Sequence, residues 1–162
     1  HFSSNTSNRF KAITTAHYDS IANGSNLFLS FGEIDCRANE GFIAAASKQN
    51  APIEDLISDT VKGYLNWFFE RNKTKNHKLY FFNVPAPIFN KSYSTELNSK
   101  VAQTIQLFND TLAQYLSNYD FSIIDLFKFT VGKNGFSNGS YHIDEHHLSS
   151  NAIPEIEKQI NN

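Results

Sequence analysis

Three short apolar runs, each set between longer stretches with helical spacing, constrain this chain more than any other feature. They are Leu27-Phe28-Leu29-Ser30-Phe31, Leu79-Tyr80-Phe81-Phe82-Asn83-Val84 and Phe121-Ser122-Ile123-Ile124-Asp125-Leu126-Phe127. Each is too short for a core helix and too continuously apolar for a strand with one wet face. Each therefore reads as a strand buried on both faces, as in a parallel sheet. Gly32 ends the first, and Pro85-Ala86-Pro87 stops the second, because proline cannot continue a central strand.

The intervening stretches read as helices. Residues 1–9 are polar and expected to be irregular. From Asn8 to Ile21, Phe10, Ile13 and Ile21 share one helical face, and Asn23-Gly24 is a natural stop. A long helix is expected from about Pro52 to Arg71, with Ile53, Leu56, Ile57, Val61, Tyr64, Leu65, Phe68 and Phe69 repeating at three and four residues. Pro52 suits a first turn, and Glu54 and Asp55 sit where the helix dipole favours acids. A second long helix spans roughly Thr95 to Ser117, and Ile153 to Ile160 reads as a terminal helix. Strands alternating with helices in this way predict a three-layer α/β fold, with an open parallel sheet and right-handed crossovers. Ligands in such sheets bind beyond the carboxyl ends of the strands. That rule gathers the Gly32–Gly41 loop, the Pro85-Ala86-Pro87 turn and the Asp144–His147 loop on one rim.

The 162 residues show no internal linker and read as a single domain, long enough to bury a core that fifteen Phe make aromatic. A formal net charge of −2 gives no electrostatic reason to expect nucleic acid. No apolar run approaches the roughly 20 residues of a membrane span. The single Cys36 excludes an internal disulfide and fits a reducing compartment. With no signal segment visible, a cytoplasmic location is the expectation. The absence of Met and the start at His1 suggest a piece of a longer protein. Asn-x-Ser/Thr triplets occur at Asn5, Asn23, Asn72, Asn90, Asn109 and Asn138; in a chain this rich in Asn, Ser and Thr, several arise by chance.

The densest chemistry lies in Tyr141-His142-Ile143-Asp144-Glu145-His146-His147-Leu148-Ser149. Asp144 and His147, three residues apart on a turn, can hydrogen-bond, and the carboxylate would then fix the imidazole tautomer as in a general base. His142 and His146 read as loop residues. The cluster has ligand types for a metal but no metal-site spacing, so neither a metal nor a cofactor is expected. Glu33, Asp35 and Arg37 form a second constellation. Asp35–Arg37 is either a structural pair, or Glu33 and Arg37 line a cleft where Arg37 holds a carboxylate or sugar hydroxyls. Cys36 reads as a small buried hydrophobe, and Trp67 with Phe68-Phe69 as core. Gly132-Lys133-Asn134-Gly135 lacks the spacing of a phosphate loop.

The segment Asp144-Glu145-His146-His147-Leu148-Ser149, after a Gly-rich loop and before a final helix, resembles the last sequence block of the SGNH/GDSL hydrolase superfamily. Phe31-Gly32-Glu33-Ile34-Asp35 lies where that family has its Gly-x-Asn-Asp block, and Val84-Pro85-Ala86-Pro87 follows the intervening strand as it does there. The resemblance runs from about Asn26 to the end of the chain. It implies a flavodoxin-like sheet of SGNH type lacking its first strand or strands. It also implies His147 as general base, Asp144 as its orienting carboxylate, and a backbone N–H of Gly32 facing a developing oxyanion.

Two departures qualify it. The family's oxyanion Asn falls at Ile34, which has no side-chain donor. The family's Gly-Asp-Ser nucleophile block is absent; Asp19-Ser20 lies in a helical pattern, and Ser30 lies within a strand. The expectation is therefore a serine ester hydrolase whose nucleophile precedes His1. Its substrates would be small-molecule or glycan esters, carbohydrate O-acetyl esters among them. Its partner would be the missing N-terminal segment or another copy of the chain. The competing expectation is a non-catalytic α/β binding or scaffolding module of a larger protein.

Overall fold

The computed structural model describes residues 8–161. Three parallel strands, β1 (Asn26–Ser30), β2 (Lys78–Phe82) and β3 (Ser122–Ile124), form an open sheet in the order β1-β2-β3. Phe28 lies opposite Tyr80 in the register, and Phe81 opposite Ile123. Helix α1 (Arg9–Ser20) precedes β1, while α2 (Phe42–Gln49) and α3 (Ile53–Lys75) connect β1 to β2. Helix α4 (Thr95–Leu116) connects β2 to β3, and α5 (Leu126–Thr130) and α6 (Ile153–Ile160) follow. This is the α/β architecture with an open parallel sheet that the alternating pattern predicts.

The helix ends follow from local chemistry. Asn8 and Ser94 cap α1 and α4 by accepting the N–H of Lys11 (2.9 Å) and Leu97 (3.1 Å). Asn50 and Asn76 end α2 and α3 in the left-handed conformation, with φ of 49° and 54°, which Asn tolerates better than other side chains. Asn76 sets the end of α3 at Lys75, four residues beyond the expected Arg71.

The strands alternate between two faces. On one, Leu79 and Phe81 of β2 meet Ile57, Val61, Leu65 and Phe68 of α3 and Ile105, Phe108 and Leu112 of α4. Phe68, Phe81 and Phe108 are fully enclosed there, and each contributes roughly 1.5–3 kcal/mol by burial. On the other face Tyr80 and Ile124 form a smaller cluster with Leu126, against which Leu148, Ile156 and Ile160 pack.

Four expectations are corrected. Helix α1 exists, but Phe10 and Ile13 are exposed and Tyr18 is the residue it buries. Strand β1 is not buried on both faces: it is the sheet edge, and Phe28, stacked on Tyr80 at 4.9 Å, remains 47% exposed. The third apolar run is a strand for three residues only. Asp125 then caps α5 by accepting from Lys128 N–H (3.0 Å), and the amide oxygen of Asn83 accepts from Leu126 (2.6 Å) and Phe127 (3.1 Å). Helix α2 occupies residues where the apolar spacing announced no element. Of the irregular start expected for residues 1–9, residues 1–7 lie outside the described residues, while Asn8 caps α1 and Arg9 opens it. Among the described residues no helix is long and apolar enough to cross a membrane.

Candidate active site

The carboxyl ends of the three strands face one rim, and there the segment from Val84 to Asn90 leaves β2 without a strand partner. Its polar backbone groups are met mostly by side chains instead, with Pro87 C=O accepting from Ser137 N–H (2.8 Å). Asn109 on α4 accepts from Val84 N–H and donates to Val84 C=O, both at 2.8 Å, as a neighbouring strand would. Thr130 Oγ1 accepts from Ala86 N–H (2.9 Å). Asn98 accepts from Asn90 N–H (2.8 Å) and donates to Asn90 C=O (2.9 Å). Asn98, Asn109 and Thr130 are all buried. Sequence reasoning missed them, although a polar side chain on the apolar face of a helix is a legible sign that something polar must be paired there.

After β1 the chain turns at Gly32, whose φ of +98° and whose contact with the ring of Phe108 both demand glycine. A single 3-10 turn, Ile34–Cys36, follows. Glu33 and Arg37 fall on one side of it and form a two-pronged ion pair, with Arg37 Nε and NH2 at 2.9 and 2.8 Å from the two carboxylate oxygens. Arg37 also reaches Glu40 at 3.3 Å. The expected Asp35–Arg37 pair does not form: Asp35 sits off that side, is exposed, and contributes its backbone, against which Gly41 packs. Arg37 is thus committed to two carboxylates, which lowers its value as a ligand for a substrate anion. Burial pushes the Cys36 thiol up, and the residue is 1% exposed.

The loop 140–149 is closed by Ile143 N–H donating to His147 C=O (3.0 Å) and Ser149 N–H to Tyr141 C=O (2.6 Å). Within it, Asp144 Oδ1 accepts the N–H groups of both His146 and His147 at 2.8 Å. Its carboxylate also meets His147 Nδ1 at 2.8–2.9 Å. These bonds, the His146 N–H first, pull the Asp144 carboxyl down to about 2. The His147 side chain is 69% exposed, and its Nε2 has no partner among the described residues. The other two imidazoles are not idle. His146 Nδ1 lies 2.8 Å from Glu33 Oε1. His142 Nδ1 lies 2.8 Å from Ser137 Oγ, and burial pushes its pKa down.

These loops enclose a cavity of about 150 Å³, lined among others by Glu33, Arg37, Asn90, Tyr93, His142 and His146. Gly32, Asp35, Asp144 and His147 do not line it; His147 stands outside, on the rim. Among the described residues no group of three or more His, Cys, Asp or Glu side chains is arranged to hold a metal.

No protein-family model matches the sequence, and no curated protein matches it. Solved structures do match. One is a GDSL-like lipase from Bacteroides thetaiotaomicron, with TM-score 0.58 and 20% identity over 84% of this chain and 60% of that one. Another is a protein assigned as a platelet activating factor from Streptococcus pneumonia, with TM-score 0.54 and 13% identity over 85% of this chain and 58% of that one. The fold is SGNH/GDSL-like. The chain spans about 60% of the length of these structures, and its sheet corresponds to that fold without the early strands. Loop 140–149 lies after β3, the last strand in the chain, and β1 is one edge of the sheet among the described residues.

Proposed function

We propose that this chain carries the acid–base half of an SGNH-type serine hydrolase domain acting on esters. The observation that carries the reading is the Asp144–His147 pair on the rim at the carboxyl ends of the strands, with Nδ1 held at 2.8 Å and Nε2 open. A serine Oγ attacks the acyl carbon while His147 Nε2 takes its proton. The tetrahedral intermediate collapses as the imidazolium returns that proton to the departing alkoxide, and water repeats the sequence on the acyl-enzyme. Asp144 holds the reactive tautomer and stabilises the imidazolium. The Gly32 N–H serves as an oxyanion donor, and the serine comes from a segment outside these residues, seated along the open edge of β1. The substrates are carbohydrate O-acetyl esters, a reading supported by the neutral hydrogen-bonding groups of Asn39 and Tyr93 around the cavity. A cytoplasmic location is part of the same proposal.

The test uses a polypeptide that includes the upstream segment. A serine-directed fluorophosphonate should label it, and His147→Ala should abolish labelling and lower kcat on an aryl acetate by about 10⁴-fold or more. The 162-residue chain alone should show neither. Equal labelling in His147→Ala would remove His147 from the mechanism. One feature favours a second reading, a non-catalytic binding module: by the sequence resemblance the family's oxyanion Asn falls at Ile34, which is 58% exposed and has no side-chain donor. Absence of labelling in the longer polypeptide would select it.

A further inference from the structure

His147 is the most exposed part of the proposed dyad, so packing does not hold it and hydrogen bonds must. Its own carboxylate cannot do this alone, because Asp144 moves with the same loop. Leu148 anchors one side of the loop on the core, and a polar fixed point outside the loop is supplied by Glu33. Its turn is pinned by Gly32 against Phe108, by Gly41 against the Asp35 carbonyl, and by Cys36 N–H donating to Gly32 C=O at 2.9 Å. Its carboxylate is held by Arg37 in a two-pronged pair, so its direction is set before the histidine loop arrives. Oε1, already accepting from Arg37 Nε, lies 2.8 Å from His146 Nδ1.

We propose that Glu33 is the positioning residue of the Asp144–His147 pair, acting through His146; this rests on the functional reading of that pair given above. The coupling is covalent and short. The His146 N–H and the next N–H along the chain, that of His147, are the two backbone donors on Asp144 Oδ1. Fixing the His146 ring constrains its Cα, where the 145–146 and 146–147 peptides meet; these carry the two donors, and with them the direction in which Asp144 presents its carboxylate to His147 Nδ1. Charged groups facing the bridge are Arg37 and, beyond it, Glu40. The second tether, Asn90 Nδ2 to both oxygens of Glu145 at 3.1 Å, is exposed and longer.

The test needs no substrate. Long-range ¹H–¹⁵N correlation spectra of the histidine rings, recorded on the 162-residue chain above the histidine titration range, report each ring's tautomer. The expected result is His147 as the Nδ1–H tautomer in the native chain, shifting towards the Nε2–H form that free imidazole prefers in Glu33→Gln and in His146→Leu. His146→Leu leaves the Glu33–Arg37 pair intact, so its effect does not depend on whether Glu33→Gln folds. His146→Gln, whose amide can donate to Glu33, should restore the native tautomer. Glu40→Gln, which removes only the outer partner of Arg37, should leave it unchanged. An unchanged His147 tautomer in His146→Leu would overturn the positioning role while leaving the dyad in place. A native chain in which His147 is not the Nδ1–H tautomer would overturn the dyad itself, and the positioning role with it.

Discussion

Asp144 shows how much one exposed carboxylate can be shaped by its own turn. Two backbone N–H groups and the His147 ring converge on it, and its pKa falls from the ordinary value to about 2. A carboxylate depressed in the folded state stabilises the fold above its unfolded pKa of 3.8, and that stabilisation is lost as pH falls from there through about 2. The Asp144 side-chain carboxyl carbon should therefore titrate in the NMR spectrum with a midpoint near 2, and its change should be accompanied by shifts at the His146 and His147 amides. A midpoint in the normal Asp range would mean that the turn does not hold the carboxylate. The proposed mechanism needs this anion at every pH where His147 can act as a base. Buried Cys36 stands at the other extreme, where desolvation pushes its thiol pKa up and favours the protonated form.

At the scale of elements, α4 does more than cover the sheet. Its apolar face carries Ile105, Phe108 and Leu112 into the core, and among them Asn98 and Asn109 hold the unpaired segment 84–90 from beneath. This segment supplies part of the cavity wall, so the cavity's shape depends on two amides. Asn109→Leu has a similar branched shape and a better helix propensity, yet it should strand one buried donor and one buried acceptor of Val84. The expected cost is about 2–4 kcal/mol in a denaturant unfolding curve. Asn109→Asp should also be costly at neutral pH, since it still accepts from Val84 N–H but buries an unpaired carboxylate against Val84 C=O. A loss of under about 0.5 kcal/mol in the leucine variant would show that the segment finds other partners. The same logic disposes of two Asn-x-Ser/Thr triplets, because the Asn109 amide is engaged at Val84 and the Asn72 amide at His77 and Tyr18.

At the scale of the whole molecule, the outer edge of β1 has no strand partner among the described residues, and Phe28 on the adjoining face is half exposed. Helix α6 covers the β3 side of that face and does not reach β1. An open, apolar, parallel edge is a template for another strand. The 162-residue chain should self-associate with increasing concentration in sedimentation velocity, and Phe28→Lys should return it towards a monomer. A monomeric native chain at high concentration would count against the edge as a docking line for the rest of the domain.

Much of this was legible in the sequence. The three apolar runs fixed the strand count and the parallel sheet, because short, doubly apolar strands have no other stable home. The spacing of α3, α4 and α6 gave those helices to within a few residues, since burial of one face every third or fourth residue is a local property. Asp144 and His147 could be paired on paper because three residues of a turn bring them together whatever the rest of the chain does. Tertiary structure decided what depends on remote neighbours: that β1 is an edge rather than a buried strand, that Arg37 pairs with Glu33 and Glu40 rather than Asp35, and that His146 is tied to Glu33. It also decided that Asn98 and Asn109 serve a loop far from them in sequence. Periodicity encodes which face of an element is buried, but a polar side chain's partner is whichever group the packed sheet brings within 3 Å, and no local pattern records that.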